Sequence, residues 1–178
     1  MAMKSFPLSE VYGLLEPGPV VLLTTAAGRR SNIMTMSWHT MMEFEPPLVG
    51  CVISRQNRSF RFLKATGECV IGIPTVEIAE KVVGCGNTSD GEIDKFEIFG
   101  LTRKPAIAVG APLVEDCYAN LECQVADTRM VADYNLFVLE VIKAWVDPEV
   151  RNPETIHHLG KGKFMVGGKT IKLKSEMK

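Results

Sequence analysis

Most of the apolar runs along this chain are short and have the length and period of β-strands. Residues 20–25 are apolar and β-branched and are followed by a turn-forming segment, which predicts a first strand. Polar and apolar residues alternate over residues 32–38, which predicts a second strand. The apolar runs 48–53 and 68–73 predict a third and a fourth.

Between these strands, three short segments have the spacing of helices. They cover residues 60–66, 75–83 and 93–99. Ser59 is expected to cap the first helix, and Gly67 to end it. The second is expected to stop at residues 84–87, Gly-Cys-Gly-Asn, which predict a tightly turning loop. Gly100 is expected to close the third.

The C-terminal half predicts two long strands, at residues 119–127 and 136–146, after an irregular segment at 105–112. Farther along, Gly167 and Gly168 are typical of a two-residue hairpin turn. Roughly seven strands with only a few short helices favour a mainly β fold, a β-barrel with peripheral helices. A doubly wound sheet would need long helices between its strands.

Length and charge restrict the class of protein further. The chain has 178 residues and a formal net charge of −1, which predicts one domain over residues 1–178 and argues against a nucleic-acid binder. No apolar run approaches the ~20 residues that span a bilayer. The N-terminus has no apolar stretch typical of a secretory signal. We therefore expect a soluble, cytoplasmic protein.

The cysteines and histidines do not have the spacing of a metal site. Five cysteines contain no CxxC pair, so we expect buried free thiols rather than disulfides or zinc ligands. Cys85, between two glycines, is the cysteine expected to face a pocket. Among the three histidines, His157 and His158 are adjacent and form a poor chelate. No metal is predicted.

The segment after the third predicted strand has the chemistry of a phosphate site. The chain has no GxGxxG, no GxxxxGK[ST] and no GxSxG motif, which argues against a Rossmann site, a P-loop and a serine nucleophile. Residues 54–59, Ser-Arg-Gln-Asn-Arg-Ser, instead place two guanidinium groups and several hydroxyl and amide donors before a helix. A solvated turn with surface arginines explains the same segment equally well. An ordinary edge strand likewise explains the polar residues of 32–38.

Several motifs together carry a resemblance to a known family. They are PGPVVLLTT at 17–25, NIMTMSW at 32–38, PPLV at 46–49, GECVIGIP at 67–74, DKF at 94–96 and APLVEDC at 111–117. In this order and spacing, from about residue 6 to residue 145, the chain resembles the flavin reductase-like family, and its flavoredoxin branch in particular.

The resemblance implies an FMN-binding split β-barrel that works as a homodimer, with the flavin at the subunit interface. Many members reduce the flavin with NADH or NADPH, and no general base is needed for that hydride transfer. Lys95 would stabilise the negative charge of the reduced flavin, and Trp38 would lie near the ring. The cofactor-binding residues that the resemblance implies are Asn32, Thr35, Ser37, Trp38, Ser54, Arg55, Arg58, Ser59 and Lys95. Either arginine is a candidate for the phosphate, and no catalytic residue of the protein is predicted.

Three functions remain open at this point. The first is an NAD(P)H-dependent flavin reductase. The second is an electron carrier in which bound FMN relays electrons between redox protein partners. The third is a split barrel without redox chemistry that binds another ligand, such as a pyridoxal derivative or haem.

Overall fold

The computed structural model describes residues 18–89 and 93–174, and an antiparallel sheet of seven strands forms its centre. The strands of the described residues are β1 (Val21–Ala27), β2 (Arg30–Met36), β3 (His39–Phe44), β4 (Pro47–Val52), β5 (Glu68–Ile73), β6 (Arg103–Lys104), β7 (Leu113–Val114), β8 (Ala119–Asp127), β9 (Leu136–Val146), β10 (Ile156–Gly160) and β11 (Lys163–Val166). The central sheet has the order β2-β1-β5-β8-β9-β4-β3, and β6–β7 and β10–β11 form two small hairpin sheets.

Short helices and one 3₁₀ turn lie around this sheet. The helices are α1 (Arg58–Thr66), α2 (Ala79–Asn87), α3 (Lys95–Ile98) and α4 (Val131–Tyr134), and the 3₁₀ turn is Val76–Ile78. None of the helices in the described part of the chain is long and apolar enough to cross a membrane.

The sheet curls around one core without closing. Met36 of β2 and Cys51 of β4 pack in the same buried cluster, although four strands separate β2 from β4 in the sheet. Only a strongly coiled sheet brings such distant strands together. In the described residues β2 and β3 form its two edges and do not pair with each other. The predicted barrel architecture is therefore confirmed in its open, split form.

Both faces of β1 are buried, which explains why its sequence is continuously apolar rather than alternating. Val21 and Leu23 point into the barrel core. Val20 and Leu22 lie in a second cluster with Val82 of α2, which covers the outer face of the strand. Successive side chains of a strand point to opposite faces, so covering both sides requires an unbroken apolar run.

Strand β3 was not predicted, because neither of its faces is buried in the core. Its residues after His39 are all exposed, so no apolar and polar alternation marks the strand. The strand pairs with β4 along the edge of the sheet. The other predicted strands of the central sheet are confirmed, and β5, β8 and β9 have the predicted bounds.

The prediction that Ser59 caps a helix is wrong. Helix α1 begins at Arg58, two residues before the predicted start, and Asn57 is in the cap position. Ser59 lies fully buried in the first turn, where its hydroxyl oxygen accepts hydrogen bonds from Thr25 Oγ1 at 3.2 Å and from Asn32 Nδ2 at 2.9 Å. Gly67 ends the helix in the left-handed conformation (φ 71°), as predicted.

The predicted loop at residues 84–87 is also wrong, because α2 continues to Asn87. The two glycines serve close packing rather than a turn. A Cβ atom on Gly84 would lie 2.4 Å from a carbon of the Phe99 ring, and one on Gly86 would lie 3.1 Å from Cβ of Thr35. Gly84 therefore lets the helix pack closely against Phe99, and Gly86 lets it pack closely against Thr35 of β2.

The C-terminal hairpin turns at Lys161 and Gly162, not at the predicted Gly167 and Gly168. Both turn residues have positive φ, 52° and 72°, as a type I′ turn requires. Gly167 follows β11, and its N–H donates to the carbonyl of Thr155 at 2.6 Å.

A buried carboxylate holds the irregular segment 105–112 against the sheet. Glu122 of β8 is fully buried and accepts hydrogen bonds from three consecutive N–H groups, those of Ile107, Ala108 (2.5 Å) and Val109, and from Trp145 Nε1 at 2.7 Å. Burial alone would raise the pKa of Glu122, but these hydrogen bonds outweigh it and hold the pKa below the usual value.

All five cysteines are buried as free thiols. Desolvation by burial is the main cause that raises the pKa of Cys51 to about 12 and that of Cys85 to about 11. Because the thiolate is the reactive form, these side chains act as small apolar core residues at neutral pH.

The close approach at Gly84 leads to a test of α2. We expect Gly84→Ala to destabilise the protein by about 1–3 kcal/mol through overpacking against Phe99, although alanine is intrinsically the better helix former. Urea unfolding followed by circular dichroism measures the change. Glu80→Ala, at an exposed position of the same helix, is the control and should change stability by about 0.5 kcal/mol or less. A Gly84→Ala variant more stable than the parent would show that the ring does not constrain the helix.

Candidate functional site

A cleft of about 300 Å³ crosses the open edge of β2, between the start of α1 and the end of α2. Strand β2 contributes residues of both faces, because Asn32 and Thr35 point to opposite sides of the strand. Its walls are Asn32, Met34, Thr35, Gln56, Asn57, Arg58, Cys85, Gly86, Thr88, Ser89 and Lys95. The cleft thus joins three separate parts of the chain along one strand edge.

Side-chain hydrogen bonds fix β2 to a helix on each side. On one face Asn32 Nδ2 donates to the buried Ser59 hydroxyl of α1 at 2.9 Å. On the other face Thr35 Oγ1 donates to the carbonyl of Val82 in α2 at 2.5 Å. The walls of the cleft therefore keep a defined separation.

Two cations face this cleft, and none of its described lining residues is acidic. Lys95 lies almost completely buried (8% exposed), and its Nζ donates to the carbonyl of Cys85 at 2.8 Å. Burial is the main cause that lowers the pKa of this ammonium group, the Cys85 thiol acts against it, and the nearby Arg58 lowers the pKa further. The Arg58 guanidinium lies over the Phe62 ring, 5.9 Å from its centroid. Such a site favours an anionic ligand.

A second cavity of about 250 Å³ adjoins the first and shares Thr35 and Gly86 with it. Ser37 lines it, together with His158 and Phe164 from β10 and β11, whose rings lie 5.2 Å apart. Sequence reasoning missed these two aromatic residues. Their hairpin reaches the cavity through tertiary packing, since Val20 N–H donates to the carbonyl of Ile156 at 2.7 Å, and no local pattern signals that contact.

The structure brings together only part of the residue set that the resemblance implied. Asn32, Thr35, Arg58 and Lys95 line the first cavity, Ser37 lines the second, and Ser59 lies behind Asn32. Cys85 lines the first cavity, as expected from the sequence, although its side chain is buried.

Ser54, Arg55 and Trp38 do not line either cavity. Ser54 Oγ accepts from the N–H of Gln56 at 3.3 Å, within its own turn. Arg55 Nε donates to Oδ1 of Asn135 at 2.9 Å, and its Nη2 contacts the carbonyl of Ala132. Trp38 immediately precedes β3 and is 58% exposed.

The donor set of the two cavities fits FMN. Two cations and neutral amide and hydroxyl donors suit a phosphate and polar ring atoms, and the combined space suits a small aromatic ligand. The outer edge of β2 adds backbone N–H and C=O groups, since in the described residues β2 pairs with β1 alone. Within residues 18–89 and 93–174 no cluster of histidine, cysteine and acidic residues has the arrangement of a metal site.

Comparison with known sequences gives a family and relatives. The model of the flavin reductase like domain matches residues 14–164. A relative in Escherichia coli (strain K12), the uncharacterized protein YddH, is 32% identical over 172 residues, which covers 89% of this chain and 91% of the relative. An uncharacterized protein of Pyrococcus abyssi is 33% identical over 133 residues, covering 75% of this chain and 76% of the relative.

Solved structures have the same fold. An FMN-binding domain of a flavin reductases-like enzyme from Shewanella baltica superimposes with a TM-score of 0.83 at 26% identity, covering 96% of this chain and 97% of the other. Flavoredoxin of Desulfovibrio vulgaris (Miyazaki F) superimposes with a TM-score of 0.86 at 20% identity, covering 99% and 98%. These comparisons confirm the predicted split-barrel fold.

Proposed function

The chain belongs to the flavin reductase-like domain family, and from this premise we propose that it is an FMN-binding oxidoreductase whose flavin is reduced by NADH or NADPH. The observation that carries the proposal is the cleft at the edge of β2, where Arg58 and Lys95 face a space whose described walls contain no acidic side chain. Bound FMN would supply the hydride and electron transfer chemistry, and the protein would bind and orient it.

Arg58 and the beginning of α1 are the proposed phosphate site. The N-terminal N–H groups of a helix and an arginine together bind phosphate well. Of the two candidate arginines, Arg58 lines the cleft, whereas Arg55 contacts the carbonyl of Ala132 and the side chain of Asn135. Ser59 stays a proposed cofactor-binding residue, and its buried hydroxyl accepts a hydrogen bond from the Asn32 amide.

Lys95 is proposed to face the ring end of the flavin. Its ammonium is held by the carbonyl of Cys85 at 2.8 Å, in a buried position where a charge is poorly screened. A cation there stabilises negative charge that develops on the ring. Thr35 lines both cavities and Ser37 lines the second, and their hydroxyls would add polar contacts. Trp38 and Ser54 stay proposed contacts outside the cavity walls.

The open question between an NAD(P)H-dependent reductase and an electron carrier can be tested directly. We expect purified protein to be yellow, or to take up added FMN, and to be bleached by NADH or NADPH without oxygen, as followed at the flavin absorption band. Bleaching by dithionite or a protein donor alone would identify a carrier between redox proteins. A colourless protein that does not take up FMN would contradict flavin binding altogether and favour another ligand.

An apolar surface on β3 supports the proposed homodimer. Met41, Met42 and Phe44 of this strand are exposed, as is Trp38 immediately before it, and Phe44 is 84% exposed. Among residues 18–89 and 93–174 this strand is an edge of the sheet, so it presents apolar side chains beside backbone groups that no described strand pairs with. An exposed apolar edge of this kind favours association with another chain. We propose that a second copy of this chain covers this surface, beside the second cavity lined by Ser37.

Cytoplasmic localisation stays a prediction.

Substitution in this surface tests the dimer. We expect the parent to sediment as a dimer at micromolar concentration and Phe44→Glu to shift it towards the monomer, because the added charge would be buried without a partner. Ile107→Glu is the matched control, since Ile107 is also exposed (73%) but lies in the segment between β6 and β7. A parent that sediments only as a monomer with FMN bound would contradict the homodimer.

The phosphate site is tested by comparing two flavins. Arg58→Ala removes a charge-assisted bond of roughly 1.5–3 kcal/mol, so we expect about ten- to a hundred-fold weaker FMN binding by fluorescence titration. Riboflavin, which lacks the phosphate, should bind with nearly unchanged affinity. Arg61→Ala, an exposed position on the same helix, is the control, and Arg55→Ala should leave the ratio of the two affinities unchanged. Equal losses for FMN and riboflavin in Arg58→Ala would place the phosphate elsewhere.

A further inference from the structure

A larger cavity, of about 620 Å³, lies at the hairpin of β1 and β2 and is lined by four arginines. They are Arg29, Arg30, Arg58 and Arg103, and we call this cavity the arginine cleft. Among its described lining residues Asp94 is the one carboxylate. The proposed function uses Arg58 of this set and does not use the other three.

The fold, rather than chance surface composition, brings these guanidinium groups together. The β1–β2 turn consists of Gly28 and Arg29, with Ala27 paired to Arg30, and Gly28 has a φ of 61°, a conformation that glycine adopts most readily. Arg103 of β6 stacks on the Phe96 ring, 4.4 Å from its centroid, and pairs with Asp94.

The arginine cleft continues from the first cavity, the cleft of about 300 Å³ at the edge of β2, which we call the flavin cleft. Arg58 lines both of them. On β2, Ser31 lines the arginine cleft and the next residue, Asn32, lines the flavin cleft. At the start of α3, Asp94 lines the arginine cleft and the next residue, Lys95, lines the flavin cleft. Because Arg58 lines both clefts, a ligand that extends beyond the Arg58 end of the flavin cleft enters the arginine cleft.

We propose that the arginine cleft binds a phosphate of the adenosine half of a dinucleotide whose other half reaches the flavin cleft. The proposal rests on the proposed function. Among the described lining residues four guanidinium groups accompany one carboxylate, and the planar fork of arginine matches phosphate oxygens. FMN alone has one phosphate, which Arg58 accounts for. The further arginines therefore fit a ligand with additional phosphate.

Two dinucleotides have this chemistry. FAD carries its adenylate half directly beyond the phosphate that FMN shares with it. NADPH carries an extra phosphate on its adenosine ribose, which NADH lacks. Both would place a phosphate among Arg29, Arg30 and Arg103. If the ligand is FAD, the protein distinguishes FAD from FMN. If the ligand is NADPH, it distinguishes NADP+ from NAD+.

The first arm of the test compares FAD with FMN. If FAD is the source, Arg29→Gln and Arg30→Gln each weaken FAD binding to the flavin-free protein about ten-fold in fluorescence titrations, the loss of one charge-assisted contact, and leave FMN binding unchanged. Arg151→Gln, an exposed arginine between β9 and β10 that does not line the cleft, controls for the change in net charge.

The second arm compares NADP+ with NAD+, neither of which reduces the flavin. If NADPH is the source, calorimetric titration of the FMN-loaded parent shows tighter binding of NADP+ than of NAD+. Arg29→Gln or Arg30→Gln then weakens NADP+ binding about ten-fold and leaves NAD+ binding unchanged. Either selective loss supports the proposal and names the dinucleotide.

Two results would overturn the inference. In the first, both variants bind FMN, FAD, NADP+ and NAD+ as the parent does, so the arginines hold no nucleotide phosphate. In the second, both variants lose FMN and FAD affinity equally, so these arginines serve the phosphate that the two flavins share. A parent that binds neither flavin would instead contradict the proposed function, which keeps the two failures apart.

Discussion

The candidate site depends on how the open edge of β2 is held. An edge strand presents unpaired backbone groups, and here one helix is fixed to each face of it, α1 through Ser59 and Asn32 and α2 through Thr35 and Val82. Each such bond contributes only about 0.5–1.5 kcal/mol to stability. Their importance is geometric, because they set the distance between Arg58 at one wall of the cleft and the end of α2 at the other. Gly86 of α2 serves the same purpose by allowing the helix to lie against Thr35.

The strands that line the core could be predicted because burial patterns their sequences. The run of 68–73 forms β5 within the predicted bounds, since a covered strand needs apolar side chains at nearly every position. Strand β3 lies exposed at the edge, so its sequence does not show the apolar and polar alternation that predicts a strand. The error at 84–87 has a different origin. Glycine favours both tight turns and close packing, and only the position of Phe99 and Thr35 in the fold decides between the two.

The candidate site was predictable to the extent that its residues are close in sequence or belong to a motif. Asn32 and Thr35 are polar residues beside Ile33, Met34 and Met36 in one strand, and the motif at 94–96 marks Lys95. His158 and Phe164 reach the second cavity from more than a hundred residues farther along the chain, and a single sequence does not encode that proximity in any local pattern. The sequence also could not separate Arg55 from Arg58. The two differ in the direction of their side chains, which the packing of α4 determines.

The buried carboxylate of Glu122 connects the acidity of the solvent to a wall of the arginine cleft. It anchors the segment that contains Gly110 and Pro112, which line that cleft. Because hydrogen bonds hold the pKa of Glu122 below its usual value of 4.5, its contribution to folding stability is complete above that pH and is lost as the pH falls through the lower pKa of the folded state. Protonation would weaken the anchoring of three consecutive N–H groups at once. Acid would thereby weaken the attachment of the segment that contains Gly110 and Pro112 to the sheet. The arginines of the cleft do not titrate in that range.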